Sequence, residues 1–444
     1  MVHSLFGIGD HVDDLPSGRD QYGSGFGTSS HKGVDPSVYQ LWGDVLDRQF
    51  SWGRDASQPF DPCGTTMRCV IAGGGTGGHL FPGIAIAEAF VERERGNEVL
   101  FIGTERGIET KVLPGGKFPL RTIKAKPIQG RSLLEKIKAI LSLPMAVSEA
   151  SSILREFQPQ LVLGVGGYAS GPTLLAAFFA GMKRAIQEQN VMPGMTNRVL
   201  KWFSQRIFVS FEEAKKYFPE KKTILTGNPI RKEFFASLNK DRGEMKEKDR
   251  LTLLIFGGSA GAHRINHAMI EALDQLEGIK SSLKIIHQTG KEDLDTVSKA
   301  YREKGFDALV KPFFEDMATC YQISDLVICR SGASTVAELA VCGKAALLIP
   351  YPYAAHNHQF INAKKLVDLG AAKMILDREL NGEVIAQTIL HLYHHPQERS
   401  RMEESIRRLG RPRAAEEIVD HCYALLGKGK QGPLSLSGLL SSLG

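Results

Sequence analysis

Three glycine-rich segments carry the residue types that handle phosphate. Gly73 to His79 reads GGGTGGH, Gly257 to Ala262 reads GGSAGA, and Cys329 to Gly343 reads CRSGASTVAELAVCG. Glycines let the backbone take positive φ and bring successive N–H groups close to an anion. A helix that starts directly after such a loop adds roughly half a unit of positive charge. In the second loop Ser259 can donate its hydroxyl to a phosphate. In the third, Arg330 and the stretch Ala333 to Thr335 can face a diphosphate. Glu338 has two readings of equal weight: a capping box with Thr335, or an acceptor for the two hydroxyls of a ribose.

His79 closes the first loop. Its ring titrates near working pH, which suits a general base, although on the residues alone an N–H that ties the loop to a carbonyl is the favoured reading. Gly73, Gly75 and Gly78 also satisfy GxGxxG. A nicotinamide enzyme would place an acid at the tip of the second strand, about 20 residues on. That strand ends here in IGTERG with Glu105 somewhat late, which disfavours the dinucleotide reading. His356 and His358 stand without nearby cysteines or carboxylates and make a poor metal site. Asp293-Leu294-Asp295 matches a metal-binding DxD, but its charged surroundings read as a solvated helix face. No metal ligand set is expected.

The elements that position these loops recur in one grammar. MRCVIAG, GGTGGH and PGIAIAEAFVERER read as strand, turn and helix; EVLFIG, QLVLGVGG with YASGPTLLAAFFAG, and RIFVSF continue the series. After a charged linker, NKDRGEMKEKDR, a second series opens with LTLLIFGGSAGAHRINHAMIEAL. Short β-branched runs alternating with helices predict a parallel sheet covered on both faces, and two series predict two α/β doubly wound domains. The expected divisions are 1–66, an N-terminal extension without apolar periodicity; 67–227, a first domain; 228–410, a second; 411–427, a helix packing back on the first; and 428–444, a mobile tail.

With 444 residues, 42% hydrophobic and 23% charged, the chain is an ordinary soluble globular protein of two or three domains. The N-terminus shows neither a basic nor an apolar signal region, and no apolar run is long enough to span a bilayer. Six scattered cysteines without a CxxC pair predict free thiols in a reducing compartment. The net charge is +6. Lys117, Arg121, Lys124, Lys126, Arg131, Lys136 and Lys138, against Glu135 alone, carry an equal excess within one short stretch. Such a field attracts phosphates or an anionic membrane surface.

GGGTGGHLFPG, GGYASGP, EQN, GNPIR, GGSAGA and RSGASTVAE occur together and in this order. In that respect the chain resembles the bacterial MurG family of glycosyltransferases, over residues 67 to about 426. The resemblance implies a GT-B fold, two Rossmann-like domains with a cleft between them. It implies inverting transfer of N-acetylglucosamine from UDP-GlcNAc to the 4-hydroxyl of undecaprenyl-pyrophosphoryl-MurNAc-pentapeptide, a step of peptidoglycan synthesis, without cofactor or metal. Arg231, Ser259, Ala333, Ser334, Thr335, Val336, Ala337 and Glu338 would hold UDP-GlcNAc, with Glu338 on the ribose. Phe314 would lie against uracil and Gln359 would bond the sugar hydroxyls. Thr76, Gly77, Gly78 and Asn190 would line the acceptor side of the cleft and meet the donor there. Gly75, His79, Gly167, Tyr168 and Ser170 would serve the acceptor, with His79 the candidate base. Two residues depart from the family: Gln187 stands where histidine is common, and His356 where an acid is frequent.

A lipid acceptor requires reach to a membrane. Residues 127–143 offer Leu133, Leu134, Ile137, Ile140 and Leu141 at helical spacing among Arg131, Lys136 and Lys138, either an interfacial helix or a core-facing one. Substrate logic favours the first, on the cytoplasmic face of the inner membrane. Cell-wall and division proteins are further expected partners; nucleic acid is not. The competing readings are another GT-B transferase with a lipid acceptor, an NAD-dependent oxidoreductase, and a non-catalytic scaffold.

Overall fold

The computed structural model describes residues 66–113, 116–125, 141–238, 250–258 and 261–428. The expectations for 1–65, for most of 127–143, for Ser259 and for 429–444 lie outside the described residues.

The first lobe is a seven-stranded sheet: β1 Arg68–Ala72, β2 Glu98–Thr104, β3 Leu120–Ile123, β4 Leu161–Gly164, β5 Lys183–Glu188, β6 Arg206–Val209 and β7 Thr223–Leu225. The strand order is β3-β2-β1-β4-β5-β6-β7, and every pairing is parallel. Helices α1 (Gly77–Arg93), α2 (Leu143–Phe157) and α3 (Ser170–Phe179) cover it. β4 is buried at all four positions, as a parallel strand covered on both faces must be.

The second lobe repeats the plan with six strands: β8 Leu251–Phe256, β9 Leu283–Gln288, β10 Ala308–Lys311, β11 Leu326–Cys329, β12 Ala345–Leu348 and β13 Ala372–Met374. Their order is β10-β9-β8-β11-β12-β13, again parallel throughout. Its helices include α4 (His263–Leu276), α5 (Leu294–Glu303), α6 (Ala333–Cys342) and α7 (His358–Asp368). Each sheet therefore has the Rossmann order, reversing direction between its first and fourth strands. This is the two-domain GT-B architecture that the motifs imply.

The chain then returns. Helix α8 (Ala414–Leu425) buries Ile418, Val419, Cys422 and Tyr423 in one cluster with Met67, Cys69 and Phe90 of the first lobe. Asn97 donates to the Tyr423 hydroxyl at 2.7 Å, and Arg93 pairs with Asp420. The described cysteines, Cys69, Cys320, Cys329, Cys342 and Cys422, are all buried free thiols. No helix among the described residues is long and apolar enough to cross a membrane.

Candidate active site

Both switch points face the cleft with helix N-termini. Helices α1, α3, α4 and α6 follow β1, β4, β8 and β11, and none has a side-chain cap. Their first-turn amides thus lack the side-chain partner that capped helices supply.

In the first lobe the loops after β1 and β4 interlock. Gly167 has φ +84°, and a Cβ there would stand 2.3 Å from the Gly74 carbonyl oxygen. A Cβ on Gly73 would stand 2.4 Å from the Gly166 carbonyl oxygen. Only glycine permits this approach. Two motifs far apart in sequence, GGGTGGH and GGYASGP, are thereby one surface, with Tyr168 beside Gly75 and exposed. Thr76 and Gly78 are exposed on the same rim, and Gly77 packs on Phe81.

His79 is half-buried on this surface. Its Nδ1 lies 3.3 Å from Gln189 Oε1. Gln189 Nε2 donates to the Val165 carbonyl at 2.6 Å and to Gln187 Oε1 at 2.5 Å. The amide nitrogen is thus spent, and its oxygen must accept the proton of His79 Nδ1. That fixes the tautomer and leaves the lone pair on Nε2. Gln187 in turn donates to Asn228 Oδ1 at 3.1 Å, so the residue that departs from the family pattern belongs to an amide relay ending at His79. Burial lowers the His79 pKa below the ordinary histidine value. The bonds to Gln189 and to the Val165 backbone oppose this, and the charge of His358 from the other lobe adds to the lowering.

Across the cleft, Arg231 stacks between two rings, 4.9 Å from the Phe81 centroid of the first lobe and 5.3 Å from that of Phe234. Its Nε and the Ser334 Oγ are buried without a protein hydrogen-bond partner. Glu338 on α6 faces this arginine and bonds the Tyr321 hydroxyl at 3.3 Å. Because Gly332 is the N-cap of α6 and Thr335 lies within its first turn, the capping-box reading of Glu338 falls. Burial pushes the Glu338 carboxyl up to about 7, with Arg231 and Tyr321 pulling the other way. In the same lobe, Gly257, Gly261, Ala262, Arg330, Tyr351 and Gln359 line a pocket of about 490 Å³. Gln359 Oε1 accepts the Tyr351 N–H at 3.0 Å, and its carbonyl accepts the Ser331 hydroxyl.

Asn362, which sequence reasoning missed, joins the lobes. It is fully buried on α7, accepts the Val191 N–H at 3.3 Å, and donates to Asn190 Oδ1 and to the Ser331 carbonyl, each at 3.3 Å. Helices α1 and α6 pack against one another at the same junction.

Known proteins match this arrangement. Residues 69–209 match the glycosyltransferase family 28 N-terminal domain, and residues 252–418 match the family's C-terminal domain. A protein of Myxococcus xanthus, named UDP-N-acetylglucosamine--N-acetylmuramyl-(pentapeptide) pyrophosphoryl-undecaprenol N-acetylglucosamine transferase, is 50% identical over 360 residues, 81% of this chain and 93% of its own. The like-named protein of Geotalea uraniireducens is 50% identical over 354 residues, 80% of this chain and 97% of its own. The crystal structure of Acinetobacter baumannii MurG is 30% identical, with a TM-score of 0.64 over 80% of this chain and 98% of that one. The chain belongs to the MurG family. A UDP-N-acetylglucosamine 2-epimerase of Listeria monocytogenes, 15% identical with a TM-score of 0.60 over 82% of this chain and 98% of that one, shares the fold.

Within the MurG pattern several residues stand differently from their expected places. Ser170 is fully buried, its hydroxyl 2.6 Å from the Ala72 carbonyl and 2.9 Å from that of Gly166, so it fastens β1 to the β4 loop and is not open to a ligand. The Gly75 N–H donates at 2.7 Å to Glu109, whose other oxygen accepts from the Thr104 N–H at 2.8 Å. That amide is not free for a phosphate. Glu109, unread in the sequence, is the scaffold of the first glycine loop. Phe314 is only 6% exposed and packs in the second lobe's core, its N–H donating to Gln288; the open ring at that turn is Phe313. Arg330 is held by Asp377 at 2.6 Å and by the Ile349 carbonyl. Asp293 is buried and only Asp295 is solvated, so the DxD is not a uniform solvated face. Ala333 and Val336 are buried in α6, while Ser334, Thr335, Ala337 and Glu338 are half-buried.

Proposed function

We propose that this chain transfers N-acetylglucosamine from UDP-GlcNAc to the 4-hydroxyl of undecaprenyl-pyrophosphoryl-MurNAc-pentapeptide, forming the disaccharide lipid precursor of peptidoglycan. The observation that carries it is the pairing of His79, with Nε2 unprotonated, against a facing lobe where Arg231 Nε and Ser334 Oγ are buried without a partner and the Glu338 carboxyl lies close by. A nucleotide diphosphate supplies what those atoms lack: phosphate oxygens for Arg231 and Ser334, ribose hydroxyls for Glu338.

His79 Nε2 takes the proton of the acceptor hydroxyl as its oxygen bonds to C1 of the sugar. UDP leaves from the opposite face, giving inversion. Uncapped amides at the start of α4 and α6 stabilise the charge that grows on the leaving diphosphate. Gly167, Tyr168 and the Thr76–Gly78 rim receive the acceptor. The Glu109 carboxyl behind Gly75 speaks against an NAD pyrophosphate at the first loop.

The acceptor's tail keeps the enzyme at the cytoplasmic membrane surface. The basic sequence of residues 127–143 supports this reading, and the first lobe exposes Phe178, Phe179 and Trp202. Exposed aromatic rings suit the headgroup level of a membrane. The test is UDP release from UDP-GlcNAc with and without the pyrophosphoryl lipid acceptor. Release that ignores the acceptor overturns the reading, and sedimentation with vesicles that ignores anionic lipid overturns the membrane part.

A further inference from the structure

Helix α4 opens with His263 and carries His267 one turn later, so both imidazoles project from one face, their ring centroids 4.0 Å apart. Asp293, at the N-cap of α5, faces them. The ligand-capable atoms of the three all lie within 4.8 Å of one another. His263 Nδ1 stands 2.9 Å from Asp293 Oδ1, and its side chain is 70% exposed, leaving the group open to solvent.

The carboxylate is oriented from behind. Asp293 Oδ2 accepts from Asn266 Nδ2 at 2.7 Å; Asn266 Nδ2 also donates to the Thr289 carbonyl at 2.9 Å. Asn266 Oδ1 lies 3.0 Å from His287 Nε2, and His287 Nδ1 lies 2.9 Å from the Tyr301 hydroxyl. His287, Asn266 and Tyr301 are fully buried. A buried chain that holds one carboxylate oxygen and aims the other at two imidazoles is the supporting shell that metal sites use. The sugar-transfer chemistry does not call on it.

We propose that His263, His267 and Asp293 bind one divalent transition-metal ion of the Zn²⁺ class. Two imidazole nitrogens and one carboxylate oxygen favour Zn²⁺, Co²⁺ or Ni²⁺ over Mg²⁺ and Ca²⁺, which prefer oxygen ligands. Three protein ligands leave a position for water. The ion replaces the proton shared between His263 and Asp293, and the exposed His263 ring turns to complete the set. The site has a mechanical consequence. His263 follows Gly261 and Ala262 directly and lines the 490 Å³ pocket with them. A Cβ on Gly261 would stand 2.0 Å from the Thr289 carbonyl oxygen, so the second glycine loop already rests on the turn that leads to Asp293. A bound ion staples that loop to the β9–α5 turn. This inference stands on the side chains alone and is independent of the transfer reaction.

The test uses the full chain without an affinity tag, stripped with a chelator and titrated with Zn²⁺, Co²⁺ and Mg²⁺ in the absence of nucleotide. The expected result is one saturable equivalent of Zn²⁺, a Co²⁺ visible absorption band, a raised Tm with Zn²⁺ and no such response to Mg²⁺. H263A and H267A each weaken Zn²⁺ binding by about tenfold or more. H391A, which removes the separate His391–Glu398 pair, leaves it unchanged. His263 is exposed, so H263A keeps the fold, which circular dichroism verifies. No saturable binding, binding equal in H263A and H267A to that of the unaltered chain, or binding lost in H391A each overturns the proposal.

Discussion

The Nδ1 of His79 is bonded to Oε1 of Gln189, a residue 110 positions later, and this bond decides which ring nitrogen faces the cleft. Replacing His79 with Ala removes the base while leaving the arginine and glutamate of the facing lobe in place. The expected outcome is a loss of about 10²- to 10⁴-fold in kcat with UDP affinity retained. Steady-state kinetics together with calorimetric UDP binding checks this; near-normal turnover would remove His79 from the role.

Gln189→Met keeps the volume but breaks the relay. His79 then keeps only its bond to the Val165 backbone and loses the contact that orients the ring through Gln189, so kcat falls while KM for UDP-GlcNAc holds. The ring of the unaltered enzyme resists protonation, because burial lowers its pKa. The acid limb of the kcat profile accordingly lies below the ordinary histidine range and moves further down in Gln189→Met, because the Gln189 bond that raises the pKa against burial is lost. An unshifted profile and an unchanged kcat would show the relay to be idle.

Glu338 ties donor binding to pH. Its folded value of about 7 is above the ordinary carboxylate range, through burial first. A raised carboxyl favours folding while protonated, and that contribution fades as pH rises from its unfolded value through about 7. Ribose binding needs the ionised form and runs the other way: UDP affinity should rise between pH 6 and 8, by roughly tenfold at most for one proton. In Glu338→Gln the affinity is lower and flat across that range. Titration calorimetry at several pH values is the check.

Asn362 spans the cleft with every polar atom engaged on both sides. Asn362→Leu strands the Val191 N–H and the Asn190 oxygen, at about 1–3 kcal/mol for a buried unsatisfied group. A lower Tm and a raised KM for UDP-GlcNAc should appear together, since the same contacts set the lobe spacing. A change in Tm alone would confine Asn362 to packing.

Glu109→Ala orphans the N–H groups of Gly75 and Thr104, again about 1–3 kcal/mol each. The first glycine loop should loosen before the lobe unfolds. Hydrogen exchange at residues 73–79 would then quicken more than exchange in β1; equal protection in both proteins would refute it.

The amino-acid order by itself determined the plan of this protein. Alternating β-branched runs and helices dictate parallel sheets, because strands buried on both faces must be apolar throughout, and two glycine loops after two first strands dictate two lobes. Three of the motifs, Gly73–His79, Gly166–Pro172 and Ala333–Glu338, lie where a strand hands over to a helix. What they left open was how each side chain is spent. Glu338 read equally as a cap or a ligand until the N-cap proved to be Gly332. Ser170 and the Gly75 amide looked available and are occupied by Ala72 and Glu109. The contacts of Glu109 with Gly75, of Gln189 with His79 and of Asn362 with Asn190 carry no local signature, because the partners are 34, 110 and 172 positions apart. Local spacing reports backbone geometry, whereas the commitment of a polar atom depends on whatever the fold brings within 3 Å or so of it, and only the tertiary structure supplies that.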